Sequence, residues 1–202
     1  MFYNWLIENY VEVIGVVTSL IYLYFSVRQI IWLWPFGILS SAIFIWIFLN
    51  SKFYADMGLQ FYYLAISIYG WIYWMRGSGM DTTKGKQIPV TRITRNQIWL
   101  LTGIGIVLFL GIVAILKFFT DSDVPWGDGF TTAASVVATW MLARKILEHW
   151  LIWILVDLVA AGLYFYKGLH PSFVLYIIYA VIAVLGYIKW KSEFADYEGR
   201  SD

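Results

Sequence analysis

Residues 98–117 read IWLLTGIGIVLFLGIVAILK, twenty positions with no charge before Lys117. At 1.5 Å of rise per residue a helix over this run is about 30 Å long, which is the thickness of a bilayer's hydrocarbon core. The stretch is therefore read as a transmembrane helix, and the rest of the chain has the same character. Of 202 residues, 61% are hydrophobic and 13% are charged. A soluble domain carries about 25% charge, so no soluble fold hides this much apolar surface. Six further runs are long enough to span, at 11–28, 31–50, 56–75, 131–147, 150–167 and 171–190. Long apolar runs replace the two-residue alternation of barrel strands, so the expected fold is an all-α integral membrane protein of seven helices.

Several functions are excluded by what is missing. A net charge of +1 gives no electrostatic reason for nucleic acid to bind. Cysteine is absent, which removes disulfides and thiolate metal sites and leaves the redox compartment unreadable. His149 and His170 are the two imidazoles, too few for a His-rich metal or haem site, and no cofactor is expected. No Walker loop, HExxH or GxSxG motif occurs. Glu8 and Glu12 stand where a signal peptide would be basic, so the first run is expected to stay as a span.

Residues 76–97 hold Gly77, Gly79, Gly85, Pro89 and a cluster of basic side chains, and are expected to form a loop. Placing that loop in the cytoplasm sets the topology by the positive-inside rule. Arg28, Arg76, Lys84, Lys86, Arg92, Arg95, Arg144, Lys145, Lys189, Lys191 and Arg200 then lie inside, against Lys52, Lys117 and Lys167 outside. The expected topology has the N-terminus outside and the C-terminus inside.

Sliding the chain on itself by 116 residues aligns 15–74 with 131–190 without a gap. Matches include Ser19/Ser135, Arg28/Arg144, Trp34/Trp150, Tyr63/Tyr179, Gly70/Gly186 and Trp74/Trp190. The expected organisation is a three-helix repeat at 11–75, a linker at 76–130 with its own helix 98–117, a second repeat at 131–190 and a tail at 191–202. The odd helix restores the sense of the second triplet, giving parallel 3+1+3 repeats, an arrangement transporters use with substrate held near the midplane between the repeats.

Matched positions read as scaffold. Gly70 and Gly186 admit close helix approach, Trp74 and Trp190 read as interface anchors, and Arg28 and Arg144 as positive-inside anchors. Mismatched polar positions are the candidates for binding. Asp157 lies about 10 Å into its helix, opposite Ser41, and an intramembrane carboxylate marks a functional site by default; a packing hydrogen bond is the plainer alternative. Trp150, Trp153 and Asp157 recur at i, i+3 and i+7, on one face. Two indoles and an acid suit a flat cationic ring, although Trp150 also fits an interface belt and Trp153 a lipid-facing position. Gln60 and Tyr63 face the same way on the third span, as Tyr176 and Tyr179 do on the seventh, and suit sugar hydroxyls or interhelical hydrogen bonds. Trp46 and Asn50 form an i, i+4 pair opposite Gly162 and Tyr166, with helix capping as the alternative for Asn50. Pro35 is expected to start or bend the second span.

The stretches Trp34-Pro-Phe-Gly-Ile, Gln60-Phe-Tyr-Tyr with Tyr69-Gly-Trp-Ile-Tyr-Trp, and Trp150-Leu-Ile-Trp-Ile-Leu-Val-Asp157 resemble the PnuC family of bacterial vitamin transporters. Tyr164-Phe-Tyr-Lys-Gly and Leu175-Tyr through Gly186-Tyr-Ile-Lys-Trp carry the resemblance on, over residues 15–190. The first repeat departs from it, with Gly37 and Ser41 in place of the second Trp and the acid. The resemblance implies a fold similar to the sugar-transporting SWEET proteins and a homotrimer in the cytoplasmic membrane. It also implies facilitated uptake of nicotinamide riboside, trapped by phosphorylation inside. Riboflavin, thiamine or a deoxynucleoside, with or without proton coupling, is the alternative within transport. A membrane enzyme or scaffold is the alternative outside it.

Overall fold

The computed structural model describes residues 10–50, 54–77 and 88–198. Among these residues the regular elements are seven α-helices: α1 Tyr10–Val27, α2 Leu33–Asn50, α3 Tyr54–Gly77, α4 Arg95–Phe119, α5 Pro125–Ala143, α6 His149–Tyr166 and α7 His170–Glu198. Their number and order follow the seven apolar runs. Lys52, Lys84, Lys86, Arg200, Gly79, Gly85 and Glu8 lie outside the described residues, as does the 78–87 part of the 76–97 loop.

Four of the seven, α2, α4, α6 and residues His170–Tyr197 of α7, are long and apolar enough to cross a membrane on length and composition alone. The sequence reading expects all seven to cross. Of the remaining three, α1 contributes only its apolar stretch Val17–Val27, shorter than a span, while α3 and α5 carry more polar residues. Helix α3 is built on Tyr62, Tyr63, Tyr69, Tyr73 and Gln60, and α5 opens with Asp128, Thr131 and Thr132. Helix α4 turns most of its surface outward: Trp99, Val107, Phe118 and Phe119 are 69–82% exposed. A helix apolar all round with rings at both ends is what lipid, not water, solvates.

The chain divides into two compact units, Met1–Ile88 and Pro89–Asp202. In the first, α2 packs against both α1 and α3; in the second, α4 packs on α5, α5 on α6 and α6 on α7. The linker helix therefore belongs with the second triplet.

Helix ends depart from the sequence reading where local chemistry sets them. Helix α5 starts at Pro125, whose fixed φ and missing N–H suit the first turn, and stops at Ala143, not at 147. Helix α4 starts on a capping box: the Thr94 hydroxyl accepts from Gln97 N, and the Gln97 side-chain oxygen accepts from Thr94 N. Helix α7 runs eight residues past 190, carried by polar residues such as the Lys189–Glu193 pair at i, i+4.

Candidate functional site

The corner after α1 and the corner after α5 have the same construction. Gln29 and Lys145, 116 residues apart, have φ of 53° and 54°. In the first corner Ile30 N donates to Phe25 O and Gln29 N to Ser26 O; in the second, Ile146 N donates to Met141 O and Lys145 N to Leu142 O. These are crossed Schellman bonds, normally closed by glycine. Arg28 lies over the Tyr24 ring and Arg144 over the Trp140 ring, at 5.5 and 5.9 Å.

Each corner delivers a tryptophan into the same surroundings. The Trp34 ring sits over Gly70, where a Cβ would come within 2.4 Å of it, and meets Trp74 edge-on at 5.4 Å. The Trp150 ring sits over Gly186, with a Cβ contact of 2.6 Å, and meets Trp190 edge-on at 5.8 Å. The close-approach role expected of the two glycines is thus visible in the contacts. The anchoring role expected of Trp74 and Trp190 is corrected: both are buried, at 3% and 0% exposure, because they close the packing over Trp34 and Trp150. Trp150 itself is 2% exposed and enclosed by protein, so it acts as the support of the α6 face and not as its surface.

The polar mismatches fall elsewhere. Asp157 is 6% exposed, and among the described residues its carboxylate accepts no hydrogen bond and forms no ion pair. It lies within electrostatic reach of the Tyr176 and Tyr179 hydroxyls on α7. Tyr176 stacks on Tyr164 at 5.1 Å, shares a side-chain hydrogen bond with it, and meets Tyr179 edge-on at 5.7 Å. Trp153, one turn before Asp157, is half-buried. The second unit therefore gathers Trp153, Asp157, Tyr176 and Tyr179, with Tyr164 added. A buried acid without a hydrogen bond, beside rings and phenols, is a place for a cation with hydroxyls attached.

In the first unit Ser41 takes the place of Asp157 and is buried, while Ser19 and Ser40 share a hydroxyl hydrogen bond of 2.8 Å. Tyr63 and Gln60 are half-buried on α3. Trp46 is 60% exposed, and Asn50 donates from Nδ2 to Trp46 O at 2.9 Å. Asn50 thus closes the last turn of its own helix, the capping alternative. Pro35 stands in the first turn of α2, where its ring costs no hydrogen bond.

Three further features have no counterpart among the sequence candidates. His149, matched by Leu33, is wholly buried between the Trp150 and Trp190 rings at 4.6 and 4.7 Å; its Nδ1 donates to Ile146 O, and its Nε2 has no partner among the described residues. The chain before α4 is strapped to the α5–α6 corner: Thr91 N donates to Lys145 O, Leu147 N to Thr91 O, and Ile93 N to the Glu148 carboxylate. Burial in that corner pushes the Lys145 ammonium down to about 8, with Glu193 acting in the opposite direction. Sequence offered a hint only for Tyr164, as an aromatic near the end of the acid-bearing helix.

A family model described as nicotinamide mononucleotide transporter matches residues 9–192. The chain is 28% identical over 184 residues to the riboflavin/roseoflavin transporter RibM of Streptomyces davaonensis, covering 89% of this chain and 83% of that protein. It is 23% identical over 203 residues to the nicotinamide riboside transporter PnuC of Escherichia coli, covering 90% and 85%. Among solved structures, it is similar to the crystal structure of the vitamin B3 transporter PnuC, with TM-score 0.73, 21% identity, and 96% and 86% of the two chains covered.

Proposed function

Because the chain belongs to the nicotinamide mononucleotide transporter family, we propose that it carries nicotinamide riboside across the membrane by facilitated diffusion. Membership makes it a multi-pass membrane transporter of a vitamin-type small molecule and not an enzyme. The single observation that carries the finer reading is Asp157, a buried acid with no hydrogen bond among the described residues, on the face of Trp153 and within electrostatic reach of Tyr176 and Tyr179. Nicotinamide riboside is a flat cationic ring on a sugar. Its pyridinium gains from the indole face and the acid, and its ribose from the phenols, with Gln60 and Tyr63 as the first unit's polar groups. Phosphorylation inside the cell then traps the vitamin and gives the flow its direction.

The rest of the proposal follows the same lines. The matched corners and Trp–Gly–Trp packing support two parallel three-helix repeats, with α4 as the added helix that restores their sense. The 11 to 3 split of basic residues (8 to 2 among the described ones) supports an outer N-terminus and an inner C-terminus. Residence in the bacterial cytoplasmic membrane and assembly as a homotrimer rest on the family resemblance.

Riboflavin is a second reading, favoured by the 28% identity to RibM. The two vitamins differ in charge, and Asp157→Asn separates them. Calorimetric titration of the purified protein with nicotinamide riboside and with riboflavin measures both. Removing the acid's charge is expected to weaken nicotinamide riboside about tenfold or more, a loss of about 1.4 kcal/mol, and to spare a neutral flavin. Undiminished nicotinamide riboside binding by Asp157→Asn refutes the role given to the acid. Binding of riboflavin alone by the parent transfers the function to the second reading.

A further inference from the structure

On the acid-bearing face of the second unit the large ring comes from the middle helix of the triplet, as Trp153 of α6. The matching positions on its neighbours are small: Ala138 on α5 and Ala183 on α7 are 0% and 2% exposed. The first unit exchanges these sizes. Where the offset of 116 places Trp153, α2 has Gly37; where it places Ala138, α1 has Tyr22; where it places Ala183, α3 has Ser67. A Cβ on Gly37 would stand 2.9 Å from Ser67 Oγ and 3.0 Å from the Tyr22 ring. The phenol of α1 therefore lies directly on the α2 backbone, in the place an α2 side chain would take. The Tyr22 side chain is half-buried, unlike Trp34, which is sealed at 0% exposure. It lies within electrostatic reach of Tyr62 and of Tyr63, one of the polar candidates of α3.

We propose that Tyr22 is the ring the first unit offers to the transported vitamin, taking on α1 the part that Trp153 takes on α6. The departure from the Trp-x-x-Trp pattern at Gly37 is then a relocation of the aromatic surface, not its loss. The proposal rests on the reading that Trp153 and Asp157 touch the vitamin. It adds a contact that the α2 sequence does not reveal, because the ring comes from a different helix.

The test is calorimetry on the full-length protein with nicotinamide riboside and riboflavin. Tyr22→Leu keeps an apolar side chain of moderate size and removes the π face; affinity for the vitamin the parent binds is expected to fall about tenfold, as for Trp153→Leu. The exchange variant Tyr22→Ala/Gly37→Trp/Ser67→Ala installs the second unit's set and is expected to bind within about threefold of the parent, under ~0.7 kcal/mol. Parent-like binding by Tyr22→Leu alongside a loss in Trp153→Leu overturns the proposal and leaves the second-unit reading standing. Parent-like binding by both variants overturns both. A measurement that leaves the fold untouched decides the matter if a variant fails to fold. Fluorotyrosine placed at position 22 is expected to show a fluorine shift that saturates with the vitamin, and an unmoved resonance at saturation overturns the proposal.

Discussion

Trp34 and Trp150 occupy equivalent places in their units, and so do Ser41 and Asp157, yet only the first pair shares its chemistry. Around the tryptophans the frame repeats: the left-handed residue before them, the crossed hydrogen bonds, the glycine beneath the ring and the second tryptophan edge-on to it, with Leu33 exchanged for His149 beside the ring. Around the polar pair little repeats beyond Tyr63 and Tyr179. The first unit has serines, one pair bonded to each other, and the second has an acid without a hydrogen bond among the described residues, near Tyr176 and Tyr179. A pseudo-symmetric frame needs equal packing in both halves, whereas an asymmetric passenger needs unequal groups. The difference between the units therefore separates what holds the chain together from the residues proposed to meet the substrate.

The largest expected effect falls on the shared part. Gly70→Ala and Gly186→Ala each put a Cβ within 2.4–2.6 Å of an indole ring that is itself sealed. Each is expected to cost about 1–3 kcal/mol of stability, read as a lowered Tm in detergent. Unequal losses would break the equivalence of the two frames. A smaller effect falls on the corners, where Gln29 is neutral and Lys145 is charged. The folded protein holds the Lys145 amine at about 8 against its ordinary 10.5, so across that window the unfolded chain binds more protons. Stability from this group then rises with pH between those values and is lost on lowering the pH. Lys145→Gln, which copies the first unit, is expected to flatten that part of the Tm–pH curve, and an unchanged slope refutes the assignment. The smallest effect is expected of Asn50→Ala. Its bond to Trp46 O is exposed, so stability falls by about 0.5 kcal/mol and vitamin affinity by less than about twofold. A larger affinity loss would return Asn50 to the contact set.

Much of this was legible in the sequence, for physical reasons. The bilayer's thickness makes span length a strict quantity, so seven apolar runs became seven helices in order. The offset of 116 located Gly70 and Gly186, because a residue without a side chain in two matched places implies something close to both. The end of α5 was not legible: Lys145 adopts a left-handed φ without being glycine, so the usual stop signal is missing. The fate of Trp74 and Trp190 was also hidden, since a tryptophan near a helix end serves an interface or a core equally well. The Thr91 strap joins segments more than fifty residues apart by backbone groups that every residue possesses. In the site, the α6 stripe and the α7 tyrosines followed from helical periodicity. Tyr22 did not, because nothing in α1 alone says that its ring lies over a glycine on α2.

The corners at Gln29 and Lys145 have one more consequence. Each is an elbow made from a single side-chain-bearing residue in a region that costs about 1 kcal/mol or more to occupy, locked by two crossed bonds. Straightening or flexing such an elbow means breaking both bonds where little water is at hand to replace them. Each elbow therefore braces the two helices it joins, α1 with α2 and α5 with α6, so that bending there costs more than bending an ordinary loop.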